Sequence, residues 1–421
     1  MATRTTISVR MYNVGFGDAF TVTVRRGDDT WRMLVDCGVH SQGRARPIRE
    51  SVRAIIADLT EAAPDHRPHL DVVVATHHHA DHITGFACEE WEQVLVDEVW
   101  VPFVEDPDDA DARRIRGGQA EAANGLLALS QRRVAELDGR LPASVEQARM
   151  FALNAQGNAA ATDRLLGRNQ RGFAAPHRVR FLPSRTEAEN RIAVDRVGVV
   201  AHILGPSRDI KFLARMDPPT QQSWPLVRAG TDSAGPLTPL FHARYISSSQ
   251  LPGRLPEAKA DLALENLVHD DDRLLRAAAI LENAVNNTSV FFVLDVSGTR
   301  LLFPGDAQQG AWEYVFSDAR NVDLLTDLAL YKVGHHGSHN ATPRRFVEKD
   351  WQTSGYAMVP FGPVQRWVKT IPKKSLVESL EQHHHTVVRA DQPPEAVPGH
   401  LAVHGDLWTE VTLTATNHHQ E

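Results

Sequence analysis

The stretch that most restricts the fold of this chain is THHHADHITG, residues 76–85, which directly follows the apolar run DVVVA at 71–75. That run predicts a short buried strand, and successive side chains of a strand point to opposite faces. His77 and His79 therefore point the same way where the strand ends, and His78 points elsewhere. If a helix follows, Asp81 and His82 lie beside them. Imidazole nitrogens and carboxylate oxygens are ligands of zinc, manganese or iron, so the stretch predicts a metal site.

Two later strand ends carry further candidate ligands. Asp306 follows the apolar strand RLLF in the turn PGDA, and His335 and His336 follow the apolar residues LALYKV. Sites in layered α/β folds gather at such strand ends. The three strand ends together supply six candidate ligands, which are His77, His79, Asp81, His82, Asp306 and His335.

The order of the predicted elements indicates an α/β fold. Residues 5–36 form paired strands, residues 48–61 have apolar side chains at helical spacing, and residues 71–75 form a strand again. Strands are also predicted at 196–204, in SVFFVLDV and TRLLF, and in the hairpin-like C-terminal segment HLAVHGDLWTEVTLTAT. The late histidine groups at 383–385 and 418–419 are predicted to lie at the surface.

Two segments interrupt this pattern. Residues 105–175 are rich in Ala, Arg and Glu with few β-branched residues, which predicts helices and an insertion. Residues 206–256 are rich in Pro, Gly and Ser and are predicted to form a long loop, which a helical segment at 256–283 follows.

Composition limits the functions to consider. The net charge of −8 argues against a chain coated with basic groups for nucleic acid, although a local basic groove remains compatible with it. Cys37 and Cys88 have no metal-binding spacing, and two cysteines do not make a disulfide framework. The N-terminus lacks an apolar signal core, and no apolar run nears the length of a membrane span. We therefore expect a cytoplasmic protein that does not enter a membrane.

The motifs resemble those of the metallo-β-lactamase fold superfamily, whose H-x-H-x-D-H motif corresponds to residues 77–82. Within it, the chain is most similar to the hydrolase domain of ComEC-type DNA-internalisation competence proteins. The shared segments are NVGFGDAF, LVDCG, Asn287-Thr288-Ser289, the GDA turn and KVGHHGS. The resemblance implies a four-layer αβ/βα sandwich with a helical insertion. The hydrolase domain then comprises residues 1–104 and 176–421, and the insertion comprises residues 105–175.

The resemblance also implies a site for two divalent metal ions, zinc or manganese. One ion is held by His77, His79 and Asp306, and the other by Asp81, His82, Asp306 and His335. Asp36 orients the histidine loop, and Asp18 and Asn287 line the site.

Three departures from the family pattern affect these expectations. Many members have another ligand histidine before the bridging aspartate, whereas His202 lies before the end of the comparable strand. A late histidine before a proline is replaced by Ile371, in the segment Lys369-Thr370-Ile371-Pro372. No membrane channel accompanies the domain, so DNA uptake is not expected of it.

Two ions about 3.5–4 Å apart acidify a bridging water and hold a substrate oxygen, which predicts a hydrolase. Asp81 is the candidate proton acceptor and His336 the candidate acid. The leading interpretation is a phosphodiesterase or nuclease. Its phosphate contacts would come from basic residues near the expected mouth and in the insertion: Lys369, Lys373, Lys374, Arg344, Arg345, Arg113, Arg114, Arg116, Arg132 and Arg133.

Two alternatives share the same residues. One is a small-molecule hydrolase that opens a lactone, thioester or β-lactam, and the other is a regulatory module whose metal is structural. A nucleic acid or other phosphodiester is therefore the expected substrate only if the chain is a phosphodiesterase or nuclease. The insertion either shapes the cleft or binds a protein partner, and its sequence does not decide between them.

Overall fold

The computed structural model describes residues 4–215, 224, 271–364 and 370–415, and fifteen strands lie in these ranges. The predicted loop 206–256 beyond residue 215, except Trp224, and the predicted helical residues 256–270 lie outside the described residues, as do Lys369, His418 and His419. The strands are β1 (Thr5–Tyr12), β2 (Ala19–Arg26), β3 (Asp29–Cys37), β4 (His69–Val74), β5 (Leu95–Pro102), β6 (Arg178–Leu182), β7 (Arg191–Val194), β8 (Val199–Gly205), β9 (Phe291–Val296), β10 (Thr299–Phe303), β11 (Leu330–Lys332), β12 (Tyr356–Val359), β13 (Thr386–Arg389), β14 (Leu401–His404) and β15 (Trp408–Ala415).

Ten α-helices lie in the same ranges, and several short 3-10 turns join them to the strands. The helices are α1 (Ile48–Glu61), α2 (Ala80–Ile83), α3 (Ala110–Glu136), α4 (Ala143–Ala155), α5 (Ala159–Leu165), α6 (Ile210–Leu213), α7 (Asp271–Asn286), α8 (Gln309–Phe316), α9 (Ala319–Leu324) and α10 (Lys374–Gln382).

The strands form two mixed sheets. The first has the order β14-β15-β1-β2-β3-β4-β5-β6, antiparallel as far as β3 and parallel from β3 to β6. The second has the order β13-β12-β11-β10-β9-β8-β7, parallel from β13 to β10 and antiparallel beyond it. In the parallel part of the first sheet, β4 is almost continuously buried, as expected for a strand covered on both faces.

The two sheets pack face to face. Val9 of β1 and Val22 of β2 belong to the same buried cluster as Phe292 and Leu294 of β9. β1 alternates buried and half-buried residues, so one of its faces supplies this inner layer. Helices cover both outer faces, with Ile55 of α1 packed on the first sheet and Trp312 and Leu380 packed on the second. The chain is therefore an α/β sandwich of two mixed sheets between helices.

Helices occupy most of the tract 105–175. Asp109 begins α3 by accepting hydrogen bonds from the backbone amides of Asp111 and Ala112, at 2.9 and 3.1 Å. α3 and α4 do not form a core of their own, because their buried side chains share one apolar cluster with α7. The boundaries of a separate insertion stay a prediction. The packing joins α3 and α4 to the helix that leads into β9.

Several elements differ from the sequence-based expectations. Strands β5, β6, β7, β12 and β13 were not predicted, since most are short and lie among helices. His385 is buried and stacks on Trp351 with ring centroids 3.5 Å apart, although we expected it at the surface. Among the described residues, no helix combines the length and the apolar composition needed to cross a bilayer.

Truncating Leu281 in the cluster of α3, α4 and α7 tests this packing. Leu281 is 6% exposed, whereas its neighbour Ile280 is 42% exposed. We expect Leu281→Ala to lower the free energy of unfolding by about 2–4 kcal/mol, because it leaves a cavity. The matched control Ile280→Ala should cost less than about 1 kcal/mol. Urea denaturation of both variants measures this, and equal losses would contradict the packing described.

Candidate metal centre

Most of the predicted ligands lie where the carboxyl ends of four strands meet, together with Asp36 and His336. Asp36 lies near the end of β3, the motif 76–82 follows β4, Asp306 follows β10, and His336 follows β11. α2 begins directly after His79, so Asp81 and His82 lie in its first turn. The strand-to-helix transition that the motif predicted is therefore present.

Glycines let the backbones of this edge approach each other closely. A Cβ atom on Gly38 would lie 2.5 Å from backbone atoms of Asp81 and His82. Gly305 has a φ of +58°, and a Cβ atom there would lie 2.7 Å from the Cβ of Ser289. Larger residues at these positions would separate the loops that carry Asp306 and the histidine motif.

Four side chains form one compact group of candidate ligands. One ligand atom from each of Asp81, His82, Asp306 and His336 lies within 4.8 Å of the others. His82 Nε2 is 3.1 Å from Asp306 Oδ2, and His336 Nε2 is 3.4 Å from Asp81 Oδ2. All four side chains are buried. The group could hold a metal ion.

His77 and His79 form a second pair beside this group. His77 Nε2 lies 3.0 Å from His79 Nδ1, and both residues are 1% exposed. Two nitrogens that bind one zinc ion at about 2.0–2.1 Å with tetrahedral angles are about 3.3 Å apart. The pair therefore has the spacing of two ligands of one ion.

The rings of His77, His82 and His336 each have one nitrogen in contact with a protein oxygen, on the side that faces away from the other candidate ligands. His82 Nδ1 is 2.8 Å from Asp36 Oδ2, and His336 Nδ1 is 2.7 Å from the carbonyl oxygen of Pro360. His77 Nδ1 contacts the hydroxyl oxygens of Thr76 and Ser289, at 3.1 and 3.3 Å. Ligand histidines are oriented in this way, with one nitrogen bonded to the protein and the other free for the metal.

Asp36 connects β3 to the histidine motif. Its carboxylate accepts hydrogen bonds from the backbone amide and the hydroxyl of Thr76, both at 2.7 Å, as well as from His82. Its φ of +56° is unusual for a residue other than glycine, although aspartate tolerates it better than most. One carboxylate thus fixes both the start of the motif and its last histidine.

Acidic groups outnumber basic ones in this centre. Five carboxylates contact the site histidines or Lys332, and all are largely buried; they are Asp18, Asp36, Asp81, Asp306 and Glu282. Among the described residues, the one ammonium group in contact with them is Lys332, whose Nζ also donates to the carbonyl oxygen of Gly305 at 3.0 Å. With neutral histidines and all five carboxylates ionised, four negative charges remain, although burial raises the pKa of Glu282 well above its usual range. Bound cations would offset this negative charge.

The electrostatics divide the four rings into two pairs. Burial lowers the pKa of His77 well below its usual value and that of His79 to about 3, so both are neutral. Burial also acts to lower the pKa of His82 and His336. Asp306, Asp18 and Asp36 reverse this for His82, and the hydrogen bond to Asp81 reverses it for His336, so both pKa values are raised. Without a metal, the raised pKa values favour the protonated form of these two rings, which partly offsets the carboxylates.

Some predicted residues take other positions. His335 is half-buried and its Nδ1 contacts the hydroxyl of Ser338 at 3.0 Å, and it is not in the compact group that contains His336. His78 points away, as predicted, and contacts Glu105 and the carbonyl oxygen of Ala155, both at 3.0 Å. The roles predicted for His335 as a ligand and His336 as an acid stay predictions, but the geometry favours His336 as the ligand.

Two further candidates, His202 and Asn287, do not belong to the compact group. His202 lies in β8 between Ala201 and Ile203, which face the inter-sheet core, so His202 faces the opposite side. There it lines a separate cavity with Arg191 and Arg208. Asn287 binds backbone groups, donating to the carbonyl oxygens of Leu213 and Arg215 and accepting from the amide of Gln308.

Sequence analysis missed three side chains of the centre. Lys332 ion-pairs with Asp18 and Asp306, Glu282 contacts His79, and Asn154 bonds to Glu282. Lys332 lies within the KVGHHGS segment, but its position in a predicted strand does not indicate a role in the site. Glu282 and Asn154 lie on helices whose place near the site no local pattern shows.

The late segment packs against the turn that carries His336. The amide of Lys373 donates to the carbonyl oxygen of Gly337 at 2.9 Å, and a Cβ atom on Gly337 would lie 2.8 Å from Pro372. Ile371 is half-buried against the apolar cluster of the second sheet. An apolar side chain, that of Ile371, therefore lies next to that turn.

No family model and no curated protein matches this chain.

Replacing Lys332 tests its role as the cation of the metal-free site. Lys332→Met leaves Asp18 and Asp306 without their buried partner, and we expect it to lower the free energy of unfolding by about 3–5 kcal/mol in chelator. The control is Lys374→Met, since Lys374 is 87% exposed and pairs with Glu378 at the surface. The control should cost less than about 1 kcal/mol. Equal urea midpoints for both variants would contradict the assigned role.

Metal uptake should release protons near neutral pH. His82 and His336 have raised pKa values, and a histidine must lose its proton to bind a metal, so we expect net proton release when the site is loaded. Calorimetry at pH 7 in buffers of different ionisation enthalpy measures the number of protons. His336→Gln should release fewer protons than the wild type. A binding enthalpy that is independent of the buffer would contradict this account.

Proposed function

We propose that this chain is a hydrolase of the metallo-β-lactamase fold that uses two divalent metal ions, zinc or manganese. The observation that carries the proposal is the paired arrangement of ligands. His77 and His79 form one half, and Asp81, His82, Asp306 and His336 form the other. The two mixed sheets between helical layers, with the ligands at strand ends, support the fold assignment.

The donor set fits hard or borderline cations. It contains imidazole and carboxylate groups, and neither cysteine contributes, because Cys37 and Cys88 are not among the candidate ligands. Two divalent ions, when bound, lower the pKa of a water molecule and stabilise negative charge on a substrate oxygen. The buried carboxylates exceed the single ammonium group of Lys332 in number, and bound cations would offset this excess of negative charge.

The chain's own residues hold this centre in place and bury its side chains. Asp36, Pro360 and Ser289 fix the rings, and Phe16 covers His336 with ring centroids 4.1 Å apart. Asp81 stays ionised, because contacts with His336 and His82 outweigh its burial and keep its pKa well below the usual value. Asp81 therefore serves as an anionic ligand, and its predicted role as proton acceptor stays part of the proposal.

A phosphodiester is the substrate class we favour. A cavity of about 580 Å³ is lined by His78, Arg113 and Arg116 and by none of the candidate ligands. Arg113 and Arg116 were predicted phosphate contacts, and guanidinium groups bind phosphate oxygens well, although Arg116 also pairs with Glu105. The similarity of the GDA and KVGHHGS segments to competence-type nuclease domains supports the same class.

A small-molecule acyl hydrolase is the second candidate, and two observations favour it. Several of the arginines predicted to contact phosphate are paired with acids, as in Arg344 with Glu348 and Arg133 with Asp271. The cavity also has the volume typical of small-molecule sites rather than of an extended nucleic-acid groove. Lactones, thioesters and β-lactams are the substrates to compare.

A hydrolase panel tests the proposal. Metal-loaded protein should cleave labelled single- or double-stranded DNA, RNA or bis(p-nitrophenyl) phosphate, and chelator should abolish cleavage. Asp306→Asn should reduce the rate at least about 100-fold, because this carboxylate lies in the ligand group. The control is Asp295→Asn, since Asp295 is half-buried on β9 and pairs with Arg300.

The outcomes separate the candidates. If the protein hydrolysed acyl substrates and no phosphodiester, it would be a small-molecule acyl hydrolase instead. If the metal-loaded protein hydrolysed neither class, the hydrolase proposal would be wrong and a structural metal would remain.

A further inference from the structure

Helix α2 carries Asp81 and His82 in its first turn but is not capped by its own N-cap residue. That residue is His79, whose side chain makes no capping hydrogen bond among the described residues. The first amides of a helix have no partner within the helix, and an N-cap side chain usually accepts a hydrogen bond from one of them. His79 faces His77 with its Nδ1 atom instead. The first turn of α2 therefore needs an acceptor from elsewhere in the chain.

Asn154, near the end of α4, supplies this acceptor. Its Oδ1 accepts a hydrogen bond from the backbone amide of Ala80 at 2.9 Å. Its Nδ2 donates to Glu282 Oε1 at 2.8 Å and to Asp81 Oδ1 at 3.4 Å. These partners fix the orientation of the buried amide, because a flipped amide would set its oxygen against two carboxyl oxygens.

The contact with Asn154 gives the two carboxyl oxygens of Asp81 different surroundings. Oδ1 contacts Asn154, whereas Oδ2 lies 3.4 Å from His336 Nε2. His336 belongs to the compact group of candidate ligands. Oδ2 is therefore the oxygen that is directed at the other candidate ligands.

The end of α4 packs closely against the histidine motif at neighbouring positions as well. The carbonyl oxygen of Ala155 contacts His78 Nε2 at 3.0 Å. Gly157 has a φ of +66°, and a Cβ atom there would lie 2.5 Å from the carbonyl oxygen of His78. The end of α4 therefore cannot move relative to the motif without breaking several contacts.

We propose that Asn154 is a positioning residue of the metal centre, which sets Asp81 to bind an ion through Oδ2 alone, and this inference rests on the proposed metal-dependent function. Asn154 caps α2 in place of His79 and holds Oδ1 of Asp81 away from the ion. Side chains that orient metal ligands in this way influence the affinity for the ion. The helices α3, α4 and α7, which share one apolar cluster, then contribute to the centre through a hydrogen bond and not through a ligand.

Cobalt titration of the metal-free protein tests this. The visible spectrum of bound Co²⁺ reports the number and geometry of its ligands. We expect Asn154→Ala and Asn154→Leu to bind the ion about 10- to 100-fold more weakly than the wild type. Their spectra at saturation should also differ from that of the wild type, because Asp81 can then bind through both oxygens. Asn154→Leu keeps the size of the side chain, so it separates the loss of the hydrogen bonds from the effect of a cavity.

The matched control is Gln156→Ala. Gln156 is an exposed amide residue at the end of the same helix, and its Nε2 donates to Asn124 Oδ1 at 2.8 Å. This variant should have the affinity and the spectrum of the wild type. Thermal unfolding in chelator gives the midpoint of each variant, and the titrations are run below the lowest midpoint.

Each other outcome has one interpretation. Wild-type affinity in both Asn154 variants would overturn the inference alone. Weaker binding with the wild-type spectrum at saturation would mean that Asn154 only stabilises the fold, which also overturns it. If the wild-type chain bound no cobalt, the proposed function would fail, and this inference would fail with it.

Discussion

The structure depends on a buried excess of negative charge at one edge of two packed sheets. Asp18, Asp36, Asp81, Asp306 and Glu282 come from separate parts of the chain, and Lys332 is the ammonium group that contacts them. Such a cluster is destabilising unless cations or protons compensate it. Under the proposed function, ion binding would stabilise the folded state, because the ions would share ligands from the separate loops at this edge.

The rigid parts of the fold explain how the rings keep their positions. Parallel strands β3 and β4 bring Asp36 next to Thr76, and β10 and β11 bring Asp306 next to Lys332. The sandwich core lies directly beneath these strand ends, so small movements of the ligands would disturb close packing. The centre is consequently preorganised by elements that are far apart in sequence.

Local patterns predicted the part of the site that strands position. The apolar run before the motif placed His77, His79, Asp81 and His82 at a strand end, and the same reasoning placed Asp306. It placed both His335 and His336 after a strand, and the resemblance gave His335 as the ligand, whereas the compact group contains His336. Both residues have a positive φ in a tight turn, where strand alternation no longer applies. Sequence also could not predict Glu282 or Asn154, since their contacts depend on how α4 and α7 pack together. Packing between helices that are far apart in sequence produces no short motif, whereas a site at the end of a strand does.

Anomalous diffraction from crystals grown with manganese or zinc tests the central claim most directly. The account predicts two peaks inside the cluster. One should lie against His77 and His79 and the other among Asp81, His82, Asp306 and His336. Data that show no metal within this cluster, in crystals that carry the ion elsewhere, would contradict the account.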